Sequence, residues 1–516
     1  MTSVTDRFLQ YVKIDTGSDD RTGTSPSTAK QHHLANVLVG ELKALGITDI
    51  TYDTEHCYVY ASIPASVGCE DAPALGFIAH MDTSPAVTGE NVKTRRVENY
   101  DGKNVLLNEE KDIWLSVEDF PELLELVGQD LIVTDGTTLL GADDKAGVAE
   151  IMTMTEYLLA HPEVEHGKIC IAFTPDEEIG CGTKYFDIKK FGALYAYTVD
   201  GGALGELGYE NFNVAQAMVH ICGRNIHPET AKGKMKNALL IAQELQSLIP
   251  VQQNPMHTEG CEGFFHLERL NGTEEEAEME YFIRDYDSVS FEQKKRMFLD
   301  VTWFLREKYG SRTVVATTKD YYYNMKDEMT DHMHLVEYAC ETMKELGIEP
   351  KIVPVRDGTY GARLAYMGLP CPNLCTGGAN FHSLFEYVSV DAMEKTVELL
   401  VALAKKYAKV DIAKKKRYTY KDYVWKKSPV SCINVGMFGE EMYAMSHNMR
   451  FTSSEIGITE YFRITKDEFL LFPENVKELW NLIRDKDSNK ERFLCSNYYL
   501  DPDHKGSWFM IEEDNL

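Results

Sequence analysis

The chain has 516 residues, 44% hydrophobic and 26% charged, a balance that supports a large buried core and more than one domain. Acids exceed Lys and Arg by 82 to 53, a formal charge of −29, so a nucleic-acid backbone or an anionic membrane would be repelled and neither is expected as a partner. No apolar run reaches the ~18–20 residues of a membrane span, residues 1–10 (MTSVTDRFLQ) lack a signal-peptide pattern, and the eleven cysteines contain no C-x-x-C pair, so reduced thiols and a cytoplasmic address are expected.

Short apolar runs of β character recur along the chain, each closed by a polar or Gly-rich turn: residues 74–79 before His80, 169–173 before Thr174-Pro-Asp, 195–199 before Asp200-Gly-Gly, and 372–375 before Thr376-Gly-Gly. Residues 146–159 (AGVAEIMTMTEYLL) and 392–407 (AMEKTVELLVALAKKY) repeat apolar side chains at three- and four-residue intervals, which predicts helices. Together they predict an α/β fold with a central sheet, in which ligands gather at the carboxyl ends of the strands. Cys371 and Cys375 fall within such a run and read as part of a buried strand rather than a metal site.

Between about residues 211 and 324 the texture changes. Residues 214–223 alternate like a half-exposed strand, 234–247 read as a helix, 277–285 as a strand and 290–309 as a long amphipathic helix, which predicts a compact α+β insert. The body is therefore expected over 1–210 and 325–410, the insert over 211–324, and a further region over 411–516. That last region opens near a basic run, residues 414–417, read as a solvated linker. It holds Trp425, Trp480 and Trp508, and helical spacing sets Val476, Leu479, Trp480 and Ile483 on one face. A folded appendage that packs on the body is expected.

Five strand-to-loop junctions carry groups able to ligate a divalent cation. In His80-Met81-Asp82, residues two apart in extended backbone face the same side, so Asp82 can orient the His80 imidazole. The spacing alone is weak, because H-x-E also occurs at His161, His227, His257 and His266. The others are GADDKAG at 141–147, FTPDEEIG at 173–180, VDGG at 199–202 and NFHS at 380–383. Collectively they supply His80, Asp143, Glu178, Asp200 and His382, which suffices for two divalent ions if one carboxylate bridges them. Adjacent carboxylates repel, and a metal beside Glu178 with a water beside Glu177 separates their tasks, leaving Glu177 as the general base.

The ordered segments FIAHMDTSP, TLLGADDKAG, AFTPDEEIG, YTVDGG, HPETAKG, YFIRDYD and GLPCPNLCTGGANFH resemble the tripeptide aminopeptidases of the dinuclear-zinc M20 metallopeptidase family, over roughly residues 6 to 409. The resemblance implies two Zn2+ ions per subunit, with Mn2+ or Co2+ as alternatives for the same donors. His80 and Asp200 would hold one ion, Glu178 and His382 the other, with Asp143 bridging, Asp82 supporting His80 and Glu177 as base. It also implies that residues 211–324 form a ferredoxin-like lid and dimerisation domain in a homodimer, and that His227 reaches the partner's site to stabilise the oxyanion. Arg284 would clamp the peptide carboxylate, and Arg356 is likewise expected at the short peptide substrate.

The departures from the family pattern surround the substrate. Arg356-Asp-Gly-Thr-Tyr-Gly-Ala362 has Asp357 and Tyr360 where the family has a glycine and an acid, HPET has Glu229 for a glycine, and FHSLFEY brings Leu384 and Phe385 beside the histidine. A side chain in place of glycine narrows a pocket. The leading expectation is a zinc aminopeptidase acting on tripeptides. A dipeptidase or N-acyl amino acid deacylase of the same family, and an inactive peptide-binding scaffold, are the alternatives.

Overall fold

The four strands that end in ligand-bearing junctions lie side by side. In the computed structural model, which describes residues 1–355, 358–410, 423–427, 433–438, 442–450, 457–472, 474–484 and 493–499, Ile169–Thr174, Leu75–His80, Tyr195–Gly201 and Asn373–Cys375 are successive parallel neighbours. Their carboxyl ends therefore share one edge, as expected for ligand sites in such sheets. Ile50–Asp53 and Tyr58–Ile63 extend the sheet antiparallel on one side, and Glu206–Gly208 and Lys351–Ile352 complete its eight strands on the other.

The central strands are buried along their whole length, which follows from cover on both faces. On one face Tyr58, Tyr60, Ile78, Cys170, Ala172 and Ala196 form a cluster with Phe186, Phe191, Tyr360, Leu364 and Cys371. Against the other, the Ala142–Ala160 helix lies so close that a Cβ at Gly147 would overlap the Val199 carbonyl. The Val390–Tyr407 helix packs beside it, capped by the Ser389 hydroxyl, which accepts from Ala392 N at 3.1 Å. The α/β class with a central sheet is as the sequence predicts, and the sheet is mixed. Cys371 and Cys375 are buried free thiols.

Residues 213–322 build a second sheet. The strands Asn213–Cys222, Phe264–Gly272, Glu276–Asp285 and Val314–Tyr322 pair antiparallel, with the helices Ala238–Leu248 and Ser288–Tyr309 after the first and third. This βαββαβ connectivity, with the first strand between the third and fourth, is the ferredoxin-like arrangement. Its core contains Ala217, Val219, Ile241, Leu245, Tyr281 and Phe298. The two chain crossings into this sheet are clasped by buried asparagines: Asn324 N donates to Asn213 Oδ1 at 2.9 Å and Met325 N to Asn211 Oδ1 at 2.8 Å.

The chain divides into two compact units, Met1–Val410 and Asp411–Leu516. The second contains a five-stranded antiparallel meander, Tyr423–Lys427, Ile433–Phe438, Met442–Arg450, Gly457–Ile464 and Phe493–Tyr499, with the helices Lys466–Leu470 and Val476–Arg484 before its last strand. Leu479 is buried against Val435, Phe462, Ile464, Phe469 and Phe472, with Val476 and Trp480 packed beside it. Leu479, Val476 and Trp480 of the apolar helix face thus find cover within their own unit. The basic run at 414–417, Trp508 and the Ile483 side chain lie outside the described residues. No helix among the described residues is long and apolar enough to cross a membrane.

Candidate active site

Parallel strand ends bring together residues remote in sequence. His80 closes the Leu75–His80 strand and is fully enclosed, its Nε2 2.8 Å from Asp143 Oδ1 and 3.4 Å from Asp200 Oδ1. The other oxygen of Asp143 lies 3.1 Å from His382 Nε2, and that nitrogen is 2.7 Å from Glu178 Oε2. The other four expected ligands therefore gather around the Asp143 carboxylate, with His80 and Asp200 on one side and His382 and Glu178 on the other. The helix recorded over Ala142–Ala160 is non-helical at Asp143 and Asp144, so the Asp143 carboxylate stands on an irregular entry segment.

Asp82 holds more than an imidazole. His80 Nδ1 lies 2.9 Å from the Asp82 carbonyl oxygen and 3.5 Å from its carboxylate. That carboxylate accepts from the backbone N–H of Glu177 at 2.9 Å and of Glu178 at 3.2 Å, so one buried side chain sets the turn that carries both glutamates.

Two further residues, not singled out as site residues in the sequence, brace this centre. The Glu386 carboxylate accepts from the N–H groups of Leu140, Gly141 and Asp143 at 2.6, 2.9 and 3.1 Å, fixing the segment that presents Asp143. Asp144 is within reach of His80 and Asp200 as a third ligand, but its oxygens already accept from His80 N at 3.0 Å and Gly147 N at 3.2 Å. The acidic pair at 143–144 announces Asp144 in the sequence. Glu386 has no such signal, because its partners are main-chain groups far away in the chain.

The charges of the centre show what it can hold. Burial lifts Glu177 well above the ordinary carboxylate range, Glu178 to about 8 and Asp200 to about 6. Burial also opposes charge on His80, yet Asp200, Asp143 and Asp82 outweigh it and hold that imidazole well above its usual range. Hydrogen bonds to Asp143 and Glu178 push His382 up to about 11. Such a surplus of carboxylates over imidazoles in a largely buried cluster favours added positive charge. Glu178 Oε1 is buried with no hydrogen-bond partner among the described residues, and ligand atoms of His80, Asp143 and Glu178 lie within 4.8 Å of one another, as do those of His80, Asp144 and Asp200. The donor set of imidazole and carboxylate fits divalent ions of the Zn2+, Mn2+ or Co2+ type.

The expected substrate residues fare differently. His227 lies on an exposed turn with Nδ1 3.4 Å from Glu229 N, and among the described residues it makes no contact with the Asp143 cluster. Arg284 lies over the rings of Phe264 and Phe282 at 5.7 and 5.8 Å, while Asp285 pairs with Lys294 at 2.8 Å. Arg356 and Asp357 lie outside the described residues. Two of the departures from the family pattern contribute to packing. Tyr360 is buried in the sheet-face cluster, its hydroxyl donating to the Ile78 carbonyl at 3.3 Å, and Phe385 packs on Phe120 with centroids 5.4 Å apart.

The chain has recognisable relatives among known proteins. The sequence profile of peptidase family M20/M25/M40 matches residues 135–406. Peptidase T from Caldanaerobacter subterraneus subsp. tengcongensis is 54% identical over 409 residues, 79% of this chain and 100% of that protein. Peptidase T from Clostridium acetobutylicum is 52% identical over 408 residues, again 79% and 100%. Among solved structures, aminopeptidase PepT from Bacillus cereus superposes with a TM-score of 0.62 at 23% identity, covering 79% of this chain and 98% of that one. A dinuclear metal binding peptidase of the M20 family from Bacillus subtilis superposes with a TM-score of 0.53 at 14% identity, covering 78% and 97%.

Proposed function

This chain belongs to the M20 peptidase family, and from that premise we propose that it is a dinuclear-metal aminopeptidase that releases the N-terminal residue of tripeptides. The observation that carries the reading is the Asp143 carboxylate, with one oxygen at His80 and the other at His382, beside two glutamates on one turn. His80 and Asp200 would hold one Zn2+, Glu178 and His382 the other, and Asp143 both. Bound there, the ions would supply Lewis-acid polarisation of the scissile carbonyl and a lowered pKa for water.

Glu177 is the general base in this reading. Its carboxyl is held by the Tyr360 N–H at 3.3 Å, and burial raises its proton affinity, which suits it to take a proton from water and return it to the leaving amine. Asp82 fixes the main chain of the turn that carries Glu177 and Glu178, which supports separate tasks for the base and the neighbouring ligand. His227 is assigned to the site of the partner in a homodimer assembled through residues 211–324, where an imidazole N–H would face the oxyanion. Arg284 and Arg356 are assigned to the peptide carboxylate, for which a guanidinium offers paired donors.

The test is hydrolysis of a tripeptide panel with and without chelator, alongside N-acetylated tripeptides and N-acyl amino acids. Chelator-sensitive release of the first residue from free tripeptides, with the blocked peptides untouched, is expected. Cleavage of N-acyl amino acids with free tripeptides intact would move the assignment to a deacylase.

A further inference from the structure

We propose that Arg363 is a positioning residue that locks the last strand of the lid to the turn carrying Glu177 and Glu178; its catalytic consequence rests on the role given to Glu177 above. The short helix Tyr360–Tyr366 touches both elements. At its start, Tyr360 N donates to Glu177 Oε1. At its middle, Arg363 Nη1 donates to the Gly180 carbonyl and Nη2 to the Tyr321 carbonyl at 3.3 Å, the latter on the Val314–Tyr322 strand. At its end, the Tyr366 hydroxyl donates to the Asn324 carbonyl at 2.7 Å, where the chain returns from the lid to the body.

The carbonyl that Arg363 holds belongs to the same tight turn as the base. Gly180 N donates to the Glu177 carbonyl at 2.6 Å, and Cys181 N to the Asp176 carbonyl at 2.9 Å. The start of the turn is pinned to the body, because the Asp176 carboxylate accepts from Ser27 N at 2.9 Å and from Gln31 Nε2 at 2.7 Å. Its far end is held by Arg363, together with lid residues. The guanidinium lies 4.3 Å from the centre of the Tyr322 ring. A Cβ on Gly180, whose φ is +68°, would come 2.9 Å from the Tyr322 hydroxyl oxygen, and one on Gly358 would overlap the ring. Two glycines thus make room for a lid tyrosine against the turn. A guanidinium suits this junction because its planar fork reaches two carbonyls on separate segments while its face stacks on an aromatic ring, which an ammonium cannot do.

The experiment uses the metal-loaded full chain, with Arg363→Met, Arg363→Lys and Tyr322→Leu compared with wild type. Metal content, amide hydrogen exchange over residues 176–182 and 314–324, and steady-state kinetics are measured. Arg363→Met is expected to keep both metals and to speed exchange in both segments. Its kcat should fall ~10–100-fold with a smaller change in KM, since small misplacement of a reacting group costs rate on that scale. Arg363→Lys should fall between it and wild type, and Tyr322→Leu should shift both segments in the same direction by less. Should Arg363→Met fail to fold, Tyr322→Leu decides alone. Unchanged exchange at 176–182 in a folded variant, or faster exchange confined to the lid strand, overturns the coupling. A wild-type protein inert toward every peptide would instead count against the function proposed above, and the exchange data would still judge Arg363.

Discussion

His80 Nε2 and Asp143 Oδ1 lie 2.8 Å apart, and the remaining oxygen of that carboxylate is committed to the second histidine, His382, at 3.1 Å. One side chain therefore serves both halves of the centre. Asp143→Ala is expected to lose both metal ions, whereas His382→Ala, which removes a donor from one half only, should retain one. Metal analysis of the dialysed proteins checks this. Two ions retained by Asp143→Ala would show that the bridge lies elsewhere.

Asp82→Ala is expected to cost stability and activity together. Its carboxylate is the acceptor for two backbone N–H groups, and a buried donor left unsatisfied costs about 1–3 kcal/mol. With the glutamate turn released, turnover should fall ~100-fold. Thermal melts and kinetics on the same preparation test the pair of effects, and a lowered melting temperature with full turnover would restrict Asp82 to folding.

Glu386→Gln replaces one acceptor oxygen with an NH2 that faces N–H donors. The segment presenting Asp143 should loosen and metal affinity fall ~10–100-fold, the usual scale for groups that orient ligands. Competitive titration with a metal indicator measures this, and wild-type affinity would reduce Glu386 to a packing residue.

Much of the centre is legible in the sequence because parallel strands end at one edge, so a polar residue after each apolar run marks a position in space. His80, Glu178, Asp200 and His382 emerge in that way, whereas Asp143 stands on the entry to the Ala142–Ala160 helix and is announced by its acidic pair with Asp144. The bracing groups do not, since Glu386 and Arg363 act on main-chain atoms whose proximity is set by topology and not by spacing. Period-two reasoning places Asp82 beside His80 but is blind to the two N–H groups arriving from residues 177 and 178. Edge strands such as Phe264–Gly272 escape notice because most of their residues are partly or fully exposed and polar, and the packing of Tyr360 and Phe385 is set by partners remote in sequence.

A chain ending at Val410 should stay soluble and keep peptidase turnover. The Val476–Arg484 helix buries Leu479 within its own unit, an interaction contributing ~1.5–3 kcal/mol that is removed together with that unit. Size-exclusion chromatography and tripeptide hydrolysis test this. A folded, metal-loaded truncation without turnover would place an active-site residue beyond Val410.

Because His227 stands on an exposed turn away from the cluster in its own chain, the proposed dimer should show complementation. Mixing inactive Glu177→Ala with inactive His227→Ala protomers yields one site with both defects and one with neither, so activity should return. No recovery after verified subunit exchange would return the oxyanion role to another donor.

The most direct test of the account is turnover and metal content of Glu177→Ala measured on one preparation. Glu177 is assigned as base and not ligand, so both ions should remain while the rate falls ~10²–10⁴-fold. Undiminished turnover, or a loss of metal that accounts for the whole loss of rate, would contradict it.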